Sequence, residues 1–211
     1  MSINLPIVNS SQLYAVGYEL TWASATTLSL SAGRARNSTD ENDIILSESV
    51  TINGAATGAN GLDSGSLANA TFYAVYAIDD STGFNSAAGM ISINTTSPLM
   101  PAGYDMWRRV GWVLTDGSAE FLLFWQYGNN KERMYYYDVG IAELTNGTST
   151  SYAEIDLATS VPPIATEVLF DIAYTPASAT NLAVFVPFGS TATAGIVRFG
   201  YGVAAAQVGP A

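Results

Sequence analysis

Carboxylates are the side chains in this sequence with the clearest chemical potential. They cluster in "DENDI" (40–44) and in "DDS" (79–81). Oxygen-rich loops can bind calcium, and two carboxylates at a suitable separation can hydrolyse glycosides. Neither cluster has the spacing of an EF-hand, and nothing in the sequence singles out one catalytic pair. We therefore predict solvated acidic loops and no metal site.

The sequence gives little support for nucleophilic or acid–base catalysis. It contains no histidine and no cysteine, which removes the commonest general base and all thiolate chemistry. A serine–lysine pair would need Lys131, which lies in the polar segment "GNNKER" (128–133). The glycine-rich segment 54–65 has no lysine and no following helical pattern, so it is not a phosphate-binding loop. We predict that the protein is not an enzyme, has no catalytic residues and uses no cofactor.

Two adjacent arginines, Arg108 and Arg109, stand inside the otherwise apolar segment "GYDMWRRVGWVLTDGS" (103–118). Side chains alternate between the two faces of a strand, so the two arginines should point to opposite sides. Strict alternation places Trp112 on the face of Arg108, and Trp107 on the face of Arg109.

Each arginine should have a carboxylate partner, because a buried guanidinium without one is costly. The candidates are Asp105, Asp116 and Asp171, the last of which stands inside the apolar "EVLFDIAY" (167–174). We favour a structural salt bridge at the entry of the strand. A contact across a subunit boundary is the alternative, and substrate binding is a third.

Aromatic residues are dense in the middle of the chain and end in the run Tyr135, Tyr136 and Tyr137. Three consecutive tyrosines on a strand must alternate faces, so at least one of them faces away from the core. Exposed aromatic rings can stack on sugars, but aromatic residues also dominate cores and subunit interfaces. We favour core and interface roles and keep glycan binding as the alternative.

Apolar residues recur with a period of two along most of the chain, which predicts strands rather than helices. The segment 71–78 should place Tyr73, Val75 and Ala77 on one face and the alternate residues on the other. Segment 120–126 is apolar on both faces, as in a central strand. Turn residues separate these segments at short intervals. This pattern predicts an all-β fold, an antiparallel β-sandwich or a jelly-roll-like arrangement.

The strongest local prediction is a hairpin that pairs 107–115 with 119–126 through a primed turn at Asp116-Gly117. Further strands are predicted after residue 130, including segment 150–158. We expect residues 1–211 to form a single β-rich unit. A boundary near 128–131 is the alternative, and it would divide the chain into lobes at 1–127 and 132–211.

The net charge and the small number of charged residues indicate which kinds of partner the chain can bind. The chain carries 7 basic and 18 acidic residues, a net charge of −11, and only 12% of its residues are charged. A negative protein repels phosphate, so we expect no direct contact with nucleic acid. So few charges favour burial of surface against partners and a homo-oligomer. The alternative is a surface covered with serine, threonine, asparagine, glycine and alanine. The segment "MSINLPIVNS" lacks the basic region of a secretory signal, and no apolar run is long enough to span a membrane.

Three stretches together resemble a recurrent family of tailed-bacteriophage virion proteins. They are "LTWASATTLSLSAGRARNSTDENDI" (20–44), "GLDSGSLANATFYAVYAIDDSTGFN" (61–85) and "GYDMWRRVGWVLTDGSAEFLLFWQ" (103–126). The resemblance covers about half of the chain, and residues 130–211 lie outside it. It implies a structural virion component without enzymatic activity, and it supplies no catalytic residues.

The resemblance and the composition together lead to an ordered set of functional expectations. The first is a capsid decoration, or cement, protein that binds the major capsid protein or another virion protein and stabilises the head. The second is a tail-fibre or receptor-binding component that contacts host glycan. The third is a hydrolase acting on cell-surface polysaccharide. In the first two cases the protein resides in the virion, after assembly in the host cytoplasm.

Overall fold

The structure is a computed structural model that describes residues 14–128, 132–145, 147–148, 153–169, 182–186 and 197–200. These residues form strands, turns and loops without a helix, which confirms the predicted all-β class. The strands are β1 Ala15–Gly17, β2 Leu20–Ser24, β3 Thr27–Leu30, β4 Gly33–Arg36, β5 Asp43–Leu46, β6 Val50–Thr57, β7 Gly61–Leu62, β8 Phe72–Asp79, β9 Ala88–Ser92, β10 Met106–Leu114, β11 Phe124–Gly128, β12 Arg133–Tyr137, β13 Leu182–Phe185 and β14 Val197–Gly200.

The chain divides into two compact units. The first comprises Met1–Glu143 with Leu157–Pro162, and the second comprises Leu144–Asp156 with Pro163–Ala211. The division therefore follows Glu143, whereas a boundary at 128–131 would separate β11 from β12, which pair along their whole length. In the second unit β13 pairs with β14 in antiparallel register. The described part of segment 150–158 contains no strand, contrary to the prediction.

A seven-stranded curled sheet is the main element of the first unit. Its strand order is β10-β8-β9-β7-β6-β3-β2. The short strand β7 pairs in parallel with both β6 and β9, so this sheet is mixed, whereas every other ladder in the described chain is antiparallel. Together with the smaller sheets β1-β4-β5 and β11-β12, this sheet is consistent with the predicted sandwich-like or jelly-roll-like fold.

Strand β8 shows how the sequence builds this sheet. Tyr73, Val75 and Ala77 point into the main core, as their spacing predicts. The alternate residues Ala74, Tyr76 and Ile78 are equally buried, but in a second cluster on the opposite face. A strand buried on both faces needs apolar residues at nearly every position, and the sequence "FYAVYAI" provides them.

A three-stranded sheet in the order β1-β4-β5 adds Ala35, Ile44 and Leu46 to the main core. Tyr18, which follows β1, is fully buried with a φ of 56° and donates its hydroxyl proton to the Ile44 carbonyl. Gly33 lies directly against it, and a Cβ at Gly33 would come within 2.7 Å of the Tyr18 ring. Glycine is therefore required where this tyrosine enters the core.

The predicted long hairpin between 107–115 and 119–126 is wrong. The chain does reverse there, with a bridge between Thr115 and Phe121, but β10 pairs along its length with β8, and β11 pairs with β12. The turn is not of the primed type either, because its positive φ lies at Ala119 (62°) rather than at Gly117. The Asp116 carboxylate instead accepts the backbone N–H groups of Ser118 and Glu120.

Candidate interaction surface

The hairpin of β11 and β12 presents a row of large exposed side chains. In its register Trp125 lies opposite Tyr136, and Tyr127 lies opposite Met134. The four side chains are 41%, 61%, 57% and 53% exposed, respectively. We call these four residues the aromatic face. Segment 120–126 is thus not a central strand as predicted, because its last residues form one side of a hairpin whose outer surface is open.

The opposite surface of the same hairpin packs against the main core. Phe124 is buried there, and Tyr135 and Tyr137 pack against the core beside it. The rings of Phe124 and Tyr135 lie 5.7 Å apart between centroids. The tyrosine run therefore alternates as the sequence requires, with Tyr136 facing outward and its two neighbours facing inward.

Two polar side chains fix the hairpin to the sheet. Gln126 accepts the Leu20 backbone N–H of β2 through Oε1 (2.9 Å), and its Nε2 donates to the Tyr135 hydroxyl (2.9 Å). The same hydroxyl accepts the Trp112 backbone N–H of β10 (3.2 Å). Burial raises the pKa of Tyr135, so its hydroxyl stays neutral. The hairpin thereby satisfies N–H groups of β2 and β10, the two end strands of the seven-stranded sheet.

Arg133 is the third attachment and was not among the residues predicted from the sequence. Its guanidinium donates to the backbone carbonyls of Gly17, Tyr18 and Val110. Desolvation lowers the pKa of Arg133, but a guanidinium stays charged at any ordinary pH. A single side chain thus joins β12 to the turn after β1 and to β10. The period-two pattern of "RMYYY" could have indicated that Arg133 faces inward with Tyr135.

The geometry of the exposed rings limits what the aromatic face can bind. Trp125 and Tyr136 lie 6.0 Å apart between centroids, and their planes are inclined by 46°. Inclined rings with Met134 beside them form an uneven apolar surface, whereas a flat sugar ring stacks best on an open ring plane. Uneven apolar surfaces rich in aromatic residues and methionine are typical of protein interfaces.

Arg108 and Arg109 have different partners. Arg108 lies 3.8 Å from the Asp40 carboxylate, which was not among the three predicted partners. Arg109 donates to the Thr95 carbonyl, and its guanidinium lies 5.0 Å from the centre of the Trp112 ring. The first arginine therefore forms a structural ion pair, and the second is held by a carbonyl and an aromatic ring.

A β-bulge explains why Trp112 shares a face with Arg109 rather than with Arg108. The register with β8 shifts between Arg109 and Gly111, so Val110 is an extra residue in β10. Strict alternation fails at this point, and the predicted face assignment of Trp112 is wrong. Trp112 belongs to the second cluster, against which Trp107 also packs. The Trp112 Nε1 is buried without a hydrogen-bond partner.

Asp105 and Asp116, two of the predicted aspartate partners, each accept hydrogen bonds from a loop or turn. Asp105 accepts the backbone N–H and the hydroxyl of Ser81. Asp116 organises the turn after β10, and Asp171 lies outside the described residues. Hydrogen bonds to Ser81, Ser118 and Glu120 therefore occupy the carboxylates of Asp105 and Asp116.

The acidic loop after β8 is a compact hydrogen-bonded turn. The Asp80 carboxylate accepts bonds from the hydroxyl and backbone N–H of Thr82 and from the backbone and side-chain N–H groups of Asn85. These bonds, led by that of the Thr82 hydroxyl, lower the pKa of Asp80 to about 2. Among the residues that the structure describes, no group of three acidic, histidine or cysteine side chains could hold a metal ion.

Comparisons of the chain with protein-family models, with curated proteins and with solved structures found no match. Within the described ranges, no helix reaches the length and apolarity that a membrane span requires.

Proposed function

We propose that this chain is a non-enzymatic structural protein of a tailed-bacteriophage virion and that it decorates the capsid as a homo-oligomeric cement protein. The aromatic face is the observation that carries this proposal. It exposes four large side chains on a hairpin that is fixed from behind, and such a surface favours burial against a partner. The partner in this proposal is the major capsid protein or another virion protein.

The sequence resemblance supports the same proposal from another direction. Its three stretches, 20–44, 61–85 and 103–126, supply β2 to β5, β7 with β8, and β10 with the turn that follows it. All of them lie in the first compact unit. The three stretches thus belong to one structural unit. The aromatic face belongs to the same unit, where Arg133, Gln126 and Tyr135 hold its hairpin against the sheet.

A tail-fibre or receptor-binding role is the second candidate. The observation that favours it is the neighbouring exposed pair Trp125 and Tyr136, because tryptophan and tyrosine rings stack on sugars. Their inclination of 46° weighs against a flat sugar platform and places this role second.

Immunogold labelling of intact virions with an antibody to this chain tests the proposal. Label distributed over the head is the expected result, together with earlier release of packaged DNA on heating when the chain is deleted. Label confined to the tail would reject decoration and favour the receptor-binding role. Virions without any label would reject both.

A further inference from the structure

We infer that the aromatic face docks onto a basic protein surface, one whose apolar centre is bordered by arginine or lysine side chains. The inference rests on the proposed function, because it takes the partner to be another protein of the virion. It adds the chemistry of that partner and the part of this chain that binds it.

The backbone beneath the aromatic face is fixed to the seven-stranded sheet. Both strands of the hairpin are held from behind, by Gln126 at β2 and by Tyr135 and Arg133 at β10. The outward side chains therefore stand on a backbone that does not need to be ordered on binding. Pre-organised aromatic side chains on a rigid element are the usual form of an interaction hot spot.

The aromatic face is smaller than a standard protein interface. A hairpin of five residues per strand is about 17 Å long and about 10 Å wide, so its face covers roughly 170 Å². A standard interface buries about 800 Å² on each partner. The aromatic face is therefore the anchor of a wider contact, and the residues around it contribute to recognition.

The charge beside the aromatic face is negative. Asp138 is exposed and directly follows β12, and by alternation it shares the side of Met134 and Tyr136. The chain as a whole carries a charge of −11. A partner surface with arginine or lysine around an apolar centre would place cations against the Asp138 carboxylate and over the exposed rings.

Within the part of the chain whose side chains the structure describes, a second copy of this chain offers no arginine that is not already engaged. Each arginine whose side chain the structure describes already engages an acceptor or an aromatic ring of its own chain: Arg34, Arg36, Arg108, Arg109 and Arg133. Two copies would also bring two strongly acidic molecules together. Because two acidic molecules repel each other, we assign the homo-oligomer contact of the proposed function to another surface.

The test measures binding of the purified full chain to virions of a phage from which its gene has been deleted. Trp125→Ser and Tyr136→Ser should each weaken binding at least tenfold, and Asp138→Lys should weaken it several-fold. Phe84→Ser is the matched control, because Phe84 is 90% exposed but lies in the loop after β8. It should bind like the unmodified chain. Raising the salt concentration should weaken binding of the unmodified chain more than that of Asp138→Lys.

The outcomes separate the inference from the proposed function. If the unmodified chain binds and all variants bind equally well, the inference is overturned and the proposed function stands. If the unmodified chain binds no particle, both are overturned. If the unmodified chain binds host-envelope polysaccharide and the two aromatic variants do not, the ligand of the aromatic face is a glycan rather than a protein, and the inference is overturned. Dissociation of a solution oligomer by the same variants would identify the face as a contact between copies. Circular dichroism of each variant ensures that folded proteins are compared.

Discussion

The Leu20 side chain of β2 packs directly against the backbone of Gly111 in β10. A Cβ at Gly111 would lie 2.4 Å from Leu20 Cδ1 and 2.9 Å from the Tyr135 hydroxyl. Because β2 and β10 are the two ends of the seven-stranded sheet, this contact means that the sheet curls until its ends meet. The inner side of the β11–β12 hairpin packs over the contact between β2 and β10. Its outer side stays exposed and carries the aromatic face.

Gly111→Ala should destabilise the protein by about 1–3 kcal/mol, because the added methyl group forces Leu20 and Tyr135 apart in a packed region. Urea unfolding measures the change. Gly117→Ala is the control, since no atom lies within 4 Å of a Cβ at that position. In the double variant Leu20→Val/Gly111→Ala the two effects should couple, and strict additivity would show that the ends of the sheet are not in contact.

Arg133→Ala should cost about 3 kcal/mol or more, because it leaves the carbonyls of Gly17, Tyr18 and Val110 without their donor. Arg133→Lys should recover only part of this loss, because an ammonium cannot reproduce the planar fork. Arg34→Lys, in an ion pair whose arginine is exposed, is the comparison, and it should change stability far less than Arg133→Ala. Equal effects at both positions would contradict the anchoring role of Arg133.

Tyr135 and Tyr136 should respond differently to the same substitution. Tyr135→Phe removes the acceptor of the Trp112 N–H and of Gln126, so it should cost about 1–2 kcal/mol. Tyr136→Phe removes an exposed hydroxyl and should change stability by less than about 0.5 kcal/mol. Thermal unfolding of the two single variants measures both changes in stability. A larger effect at Tyr136 would mean that the two faces of the hairpin are assigned the wrong way round.

Arg109→Ala should destabilise by about 1–2 kcal/mol without changing the oligomeric state, because it removes the bond to the Thr95 carbonyl and uncovers the Trp112 ring. Tryptophan fluorescence should report the altered environment of Trp112, and sedimentation should report the oligomeric state. An Arg109→Ala protein that is fully stable but dissociated would instead place Arg109 at a subunit boundary.

The Asp80 loop should make stability depend on pH in the acid range. The pKa of Asp80 falls from an ordinary 3.8 to about 2 in the folded chain, so its contribution is complete above about pH 5 and is lost as the pH falls through 2. Asp80→Asn should flatten this part of the profile. Burial raises the pKa of Asp79, which acts in the opposite direction, so the difference between variant and parent is the informative quantity. An unchanged profile in Asp80→Asn would show that the loop does not form as described.

The amino-acid sequence by itself determined the all-β class and the faces of individual strands, because alternation is a local property. The segment 71–78 illustrates this, since its two sets of residues enter two separate clusters. The run Tyr135 to Tyr137 is a second example. Each assignment needs only neighbouring residues and the period of a strand.

Only the tertiary structure decided which strands pair and where alternation breaks. The sequence around the Thr115–Phe121 turn predicts a long hairpin, but the strands on its two sides pair elsewhere. β10 pairs with β8, and β11 pairs with β12. The extra residue Val110 moved Trp112 to the face of Arg109. Arg133 donates to the carbonyls of Gly17, Tyr18 and Val110, which lie far from it along the chain. Pairing, bulges and edge closure depend on contacts between distant segments, and the local pattern of side chains contains no information about them.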